Sequence, residues 1–183
     1  MPPAHFRIIV RRQSAPATTS DRTYLRTPVL AALVALLALA GCSEPAAPET
    51  TARVVRVVDG DTIRVVQDGR EEPVRYIGVD TPETVKPGSP VECFGKAASR
   101  ANEKLVEGER VRLVEDVESH DRYGRRLAYV YRARDDLFVN AELVRRGFAT
   151  AATYPPNVAH ADEFAELAGR ARRHRRGLWS ACR

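Results

Sequence analysis

The sequence predicts an α+β domain: a small closed β-barrel of five strands, capped by three helices. Two observations carry this. Short β-branched segments separated by tight-turn dipeptides fill the first half at meander spacing. Helical periodicity then takes over in the second half. A run of strands with interleaved and trailing helices closes most simply as a helix-capped barrel.

Residues 52–58 are rich in Val, and residues 62–67 carry β-branched side chains around Arg64. The tight-turn signal Asp59-Gly60-Asp61 separates them. Asp68-Gly69 is a second turn and leads to a third strand over 73–79. Residues 94–105 place Ala97, Ala98, Ala101 and Leu105 near one helical face, and Glu107-Gly108 stops that helix. Residues 110–114 alternate like a strand, and Tyr123-Gly124 turns into a further strand over 126–131. A short helix follows over 140–146, with Leu143 and Val144 inward and Gly147 as its stop. Tyr154-Pro155-Pro156-Asn157 must be an irregular loop, because consecutive prolines forbid a helix. Phe164, Leu167 and Ala171 set the spacing of a last helix over 161–173, and Trp179 is expected to anchor the chain end by packing.

The domain does not begin at residue 1. Arg7, Arg11, Arg12, Arg22 and Arg26 form a basic start, and an unbroken apolar run occupies 29–40. At 12 residues, that run falls short of the ~20 a permanent transmembrane helix needs. Basic start, short apolar core and small terminal residues describe a secretory signal. Leu39-Ala40-Gly41-Cys42 resembles the lipobox of bacterial lipoproteins, in which the leader is cut before a lipid-carrying Cys. The expected organisation is a lipoprotein signal peptide over 1–41, a flexible Pro-, Ala- and Glu-rich tether over 42–51, and one domain over 52–183. The expected location is outside the cytoplasm, as a membrane lipoprotein anchored through Cys42 or as an extracellular protein.

The leader also distorts the charge. Residues 1–41 hold five of the 29 basic residues and one of the 24 acids. The remainder carries 24 against 23, a net charge of +1 rather than +5. Any nucleic-acid surface must therefore be local. His5, His120, His160 and His174 lack zinc-site spacing and are expected at the surface. Arg170, Arg172, Arg173, Arg175 and Arg176 form a basic run that suits a solvated helix end or a surface tracking phosphates.

Three polar clusters stand out against this background. They are Asp59-Gly60-Asp61-Thr62, then Arg75 followed by Asp80-Thr81-Pro82-Glu83-Thr84, then Asp121-Arg122-Tyr123-Gly124-Arg125-Arg126. Alone, each reads as a hairpin turn or a solvated loop. Together they make a chemical set. Two carboxylates and a carbonyl suit a hard cation such as Ca²⁺. A third carboxylate can take a proton from water. Two arginines can fork a phosphate and stabilise charge that builds on it.

The order of these pieces resembles the staphylococcal nuclease family: Asp59-Gly60-Asp61-Thr62; Arg75 with Asp80-Thr81-Pro82-Glu83; Asp121, Tyr123-Gly124-Arg125; and Val139-Asn140, Leu143-Val144, Gly147. The resemblance implies an OB-type five-stranded barrel with three helices. It also implies Ca²⁺-dependent hydrolysis of phosphodiester bonds in DNA and RNA. Residue by residue it implies Asp61, Asp80 and the Thr81 carbonyl as metal ligands, Glu83 as the acid acting on water, and Arg75 and Arg125 as catalytic arginines. Arg122, Tyr123 and Tyr154 would contact the nucleotide. Arg122 stands where the family has a lysine, and Ala152 where it has a second tyrosine.

The competing class is a non-catalytic OB-type lipoprotein that binds nucleic acid without cutting it. A lipoprotein that only binds Ca²⁺ leaves Arg75 and Arg125 unexplained. The domain is expected to act as a monomer. Cys93 and Cys182 remain once Cys42 is lipidated, and export would place this even pair where disulfides persist. A bridge between them is expected to tie the C-terminus back onto the domain.

Overall fold

The computed structural model describes residues 51–84, 88 and 90–182. The segment expected to be a signal peptide, the expected lipidation site Cys42, nearly all of the expected tether and His5 lie outside the described residues. The strands are β1 (Thr51–Val57), β2 (Thr62–Gln67), β3 (Arg70–Tyr76), β4 (Val79–Asp80), β5 (Arg110–Val114), β6 (Arg126–Arg132), β7 (Leu137–Phe138) and β8 (Thr150–Ala151). The helices are α1 (Gly95–Val106), α2 (Val139–Arg145), α3 (Ala161–Arg173) and the one-turn α4 (Leu178–Ala181).

The strands hydrogen-bond in the order β3-β2-β1-β5-β6-β7, and β3 also pairs with β6. That last pairing is parallel, with Val74 opposite Arg126 and Tyr76 opposite Ala128. It closes β1, β2, β3, β5 and β6 into a five-stranded barrel, so neither β3 nor β6 is left as an open edge. Alternation decides much of what lies inside, interrupted in β1 by a register shift between Val54 and Arg56. Val54, Ile63, Val65, Val74, Tyr76, Val111, Ala128 and Val130 are all buried, while Arg53, Val55 and Arg56 of β1 face outward.

The predicted barrel and its three principal helices are present. The third strand differs from its predicted bounds. It begins at Arg70 and stops at Tyr76, and Val79–Asp80 forms a separate two-residue sheet with Thr150–Ala151. Gly78 breaks the run with a φ of 77°. Pro73 is tolerated within β3 because its second partner, β6, begins pairing only at Val74.

Two buried asparagines fasten the helices to the barrel. Asn102 of α1 accepts the Tyr76 hydroxyl proton at 2.9 Å and donates to the Asp59 carbonyl at 3.1 Å. Asn140 of α2 accepts the Val130 N–H at 2.9 Å and donates to the Ile77 carbonyl at 2.9 Å. Losing either side chain would orphan buried partners, at a cost of about 1–3 kcal/mol for each orphaned group.

His160 corrects the surface reading given to all four histidines. Its ring lies 4.6 Å from Tyr129 and 4.8 Å from Phe138 between centroids, and Nδ1 pairs with Glu163 at 2.9 Å. Its place one helical turn before Phe164 turns it onto that aromatic cluster. His120 and His174 are exposed. The arginines of the basic run are exposed as well, with Arg170 paired to Glu166 and Arg172 lying 4.3 Å over the Trp179 ring. Cys93 and Cys182 are joined as expected, with their Cα atoms 5.8 Å apart.

Candidate active site

The turn after β1 brings Asp59 and Asp61 to one end of the barrel. Asp59 folds back on its own loop, accepting the Asp61 N–H at 3.1 Å. Gly60 allows the loop to press against the next cluster, because a Cβ there would sit 2.6 Å from Thr81 Oγ1. Asp61 points inward. Its Oδ2 accepts the Thr81 N–H at 2.8 Å and the Thr81 hydroxyl at 3.0 Å, and its Oδ1 accepts the Thr62 hydroxyl at 3.2 Å.

Arg75 lies directly across from Thr62 in the β2–β3 pair. From there its guanidinium reaches both acids, Asp61 at 2.6 Å and Asp80 at 2.9 Å, and donates to the Val79 carbonyl at 3.2 Å. The pairing of β4 with β8 fixes Asp80, whose carbonyl accepts the Thr150 hydroxyl at 3.3 Å. Arg125 enters from the loop before β6. Asp121 accepts the Arg125 N–H at 3.0 Å, its guanidinium Nε–H at 2.7 Å and the Tyr123 N–H at 2.9 Å.

One pocket of about 180 Å³ is lined by Asp59, Asp61, Thr62, Arg75, Asp80, Thr81, Glu83 and Arg125. All six residues expected to bind metal or to act in catalysis therefore meet there, although they span positions 61 to 125. Asp59 and Thr62 were quoted in the sequence motif without a role, and their place in this lining is new. Asp121 was likewise overlooked as the residue that aims Arg125. An acid four residues before an arginine in a turn is the signal that pointed to it.

The electrostatics favour a cation. Four carboxylates face two guanidiniums in the lining, a formal surplus of two negative charges. Burial pushes the Asp61 carboxyl up from 3.8 to about 6; Asp59 adds to this, and Arg75 only partly offsets it. Burial also raises Asp80 against the pull of Arg75. Buried acids of this kind hold their charge at a cost that a bound cation removes. For Asp121, burial works upward but is outweighed by the hydrogen bonds from Arg125 and Tyr123, which hold the acid below its ordinary value.

The donor set is all oxygen, as a hard divalent cation requires. Among the described residues no three His, Cys, Asp or Glu side chains form a ready cage. Asp61, Asp80 and the Thr81 carbonyl would hold such an ion, with water completing its shell.

A larger cleft of about 720 Å³ adjoins the acid pocket and shares Arg75 and Arg125 with it. The loops at 118–125 and 154–157 wall it, and Arg122, Tyr123 and Tyr154 are all in the lining. The exposed rings of Tyr123 and Tyr154 are available for stacking. Arg122 lies 4.8 Å over the Tyr123 ring and donates to its hydroxyl at 2.6 Å. The two loops are sewn together by Asn157, which accepts the Glu118 N–H at 2.7 Å and donates to the Glu118 carbonyl at 2.8 Å. The Pro155–Pro156 peptide within the second loop is cis.

Comparison with known proteins agrees with this geometry. The family model for staphylococcal nuclease homologues matches residues 73–181. A thermonuclease of Staphylococcus hyicus is 42% identical over 134 residues, which are 73% of this chain and 78% of the relative. A thermonuclease of Staphylococcus intermedius is 55% identical over 104 residues, 57% of this chain and 61% of the relative. Endonuclease YncB of Bacillus subtilis (strain 168) is 41% identical over 127 residues, 68% of this chain and 59% of the relative.

Proposed function

The chain belongs to the staphylococcal nuclease family, and from that premise we propose that it is an exported, Ca²⁺-dependent endonuclease hydrolysing phosphodiester bonds of DNA and RNA. One observation carries the reading: the acid pocket and the nucleotide-sized cleft meet at Arg75 and Arg125.

A phosphodiester seated at that junction would have its bases in the cleft and its phosphate against both guanidiniums. Forked N–H donors suit the phosphate oxygens and strengthen as charge builds on them during attack. Asp121 holds Arg125 in place before substrate arrives, so little ordering is needed at the moment of reaction. Ca²⁺ held by Asp61, Asp80 and the Thr81 carbonyl would add positive charge beside the phosphate. Glu83 in the same lining can accept the proton of an attacking water. Tyr123 and Tyr154 offer stacking faces to neighbouring bases, a mode that tolerates either sugar.

The acids argue against a module that only binds. Four carboxylates beside a phosphate site repel the ligand unless a cation lies between them. A simple OB-type binder gains nothing from that arrangement. Export is supported by the leader and by the Cys93–Cys182 bridge, which belongs to an oxidising compartment. Anchoring through Cys42 is part of this proposal.

Plasmid degradation with Ca²⁺, with and without a chelator, tests the activity. Chelator-sensitive cleavage is the expected result. An intact plasmid that is merely retarded on a gel would instead favour the binding module.

A further inference from the structure

Glu83 is held from two directions. Its Oε1 accepts the Thr84 N–H at 2.9 Å. Its main chain is clasped by Glu92: the Glu83 N–H donates to Glu92 Oε2 at 3.1 Å, and the Glu92 N–H donates to the Glu83 carbonyl at 2.9 Å. Glu92 is fixed in turn by the start of α1, where the Gly95 N–H donates to its carbonyl at 3.0 Å. The Gly95 backbone lies so close to this segment that a Cβ would stand 2.9 Å from the carbonyl oxygens of Pro82 and Glu83. Between Glu92 and the helix stands Cys93, bridged to Cys182. The turn at 92–95 is thus tied to the helix, to the chain end and to the backbone that carries Glu83.

Glu92 itself is exposed and lies outside the acid pocket lining. The geometry points to Glu92 as a positioning residue for Glu83: its carboxylate oxygen sets where the Glu83 main chain sits, and hence where the Glu83 carboxylate meets the attacking water. This rests on the reading of Glu83 as the acid acting on water. What Glu92 supplies to the Glu83 N–H is an acceptor, which glutamine can replace and alanine cannot; its charge bears separately on Asp80, whose carboxyl it helps to raise.

Steady-state cleavage of a labelled oligodeoxynucleotide at saturating Ca²⁺ tests this with the variants Glu92→Ala, Glu92→Gln, Glu83→Gln and the double variant Glu83→Gln/Glu92→Ala. Displacement of a reacting group by about an ångström can cost ~10²-fold, so Glu92→Ala is expected to lose roughly ten- to a hundredfold in kcat with KM unchanged. Glu92→Gln should stay near wild type. At saturating Ca²⁺, where its charge effect on Asp80 no longer limits metal binding, Glu92 acts on turnover through Glu83, so the double variant should be no slower than Glu83→Gln alone. General damage to the fold would instead compound the Glu83→Gln defect. Wild-type kcat in Glu92→Ala beside a slow Glu83→Gln would overturn the proposal alone, as would equal losses in Glu92→Ala and Glu92→Gln or a compounded double variant. A fully active Glu83→Gln would remove the role of Glu83, and this proposal with it.

Discussion

Arg75 and Asp61 form a 2.6 Å ion pair in which both side chains are largely withdrawn from solvent. The same guanidinium spans to Asp80 at 2.9 Å. Arg75 is therefore a strut between two acids as well as a donor aimed at phosphate.

Arg75→Lys and Arg125→Lys should each cleave poorly, since an ammonium cannot reproduce a planar fork. A loss of about 10²-fold in kcat/KM is expected from removing one preorganised donor of this type. Turnover within a few-fold of wild type in either variant would remove that arginine from the mechanism.

Asp61→Asn and Asp80→Asn should raise the Ca²⁺ concentration needed for half-maximal cleavage. Each exchanges a charged oxygen ligand for a neutral one. Calcium titrations that superimpose on wild type for both variants would eliminate the proposed metal site.

The Asp61 carboxyl gives a pH dependence of defined sign. Its folded value of about 6 lies above the ordinary 3.8, so the folded state binds the proton more tightly than the unfolded one. The metal-free domain should therefore gain stability from this group as pH falls through about 6 towards 4, and lose it as pH rises. Melting temperatures of wild type and Asp61→Asn, measured in chelator across that window, isolate the effect. Wild type should gain on the variant towards low pH; a constant difference would show that Asp61 carries no such penalty.

Reducing the Cys93–Cys182 bridge should lower the melting temperature without abolishing cleavage at low temperature. The bridge spans a separation of 89 residues. Loop-closure entropy puts such a cross-link at about 4–5 kcal/mol, an upper figure because α4 already packs through Arg172 on Trp179. Intact-mass analysis after alkylation without reductant should find no modified thiol in this pair. Two alkylated cysteines there would contradict the bridge.

Cys42→Ala should abolish incorporation of labelled fatty acid into the protein during growth. Label retained on the variant would exclude Cys42 as the anchor.

Much of the site was legible because its chemistry sits in short local runs. Asp61, Arg75, Asp80, Glu83 and Arg125 each occupy a turn or strand end that plain packing does not explain. The strands β1, β2 and β6 were equally legible from their β-branched and aromatic content and flanking turns, although none alternates strictly: β1 shifts register between Val54 and Arg56, and β6 buries Ala128, Tyr129 and Val130 in succession. Contacts between distant positions were not visible. Nothing near Glu92 announces that it clasps Glu83, because a hydrogen bond to main chain needs no particular residue type at the partner position. The clamp of Asn157 on Glu118 was hidden for the same reason. Asn102 looked like an unremarkable helix residue, although its poor helix propensity was a faint sign that it serves another purpose. The two-residue pairing of β4 with β8 is too short to leave any periodicity.

The parallel seam between β3 and β6 is also what brings the two arginines together. Arg75 lies on one side of that seam, opposite Leu127, and Arg125 immediately precedes the other. The strand β4, the helix α1 and the strand β5 separate them in the chain, so local folding cannot bring them together. A chain made as far as Glu83, just past β4, already carries Asp61, Arg75 and Asp80, yet it lacks Arg125 and so half of its grip on phosphate. Completion of the phosphate grip is thus tied, by the order of the strands, to closure of the barrel itself.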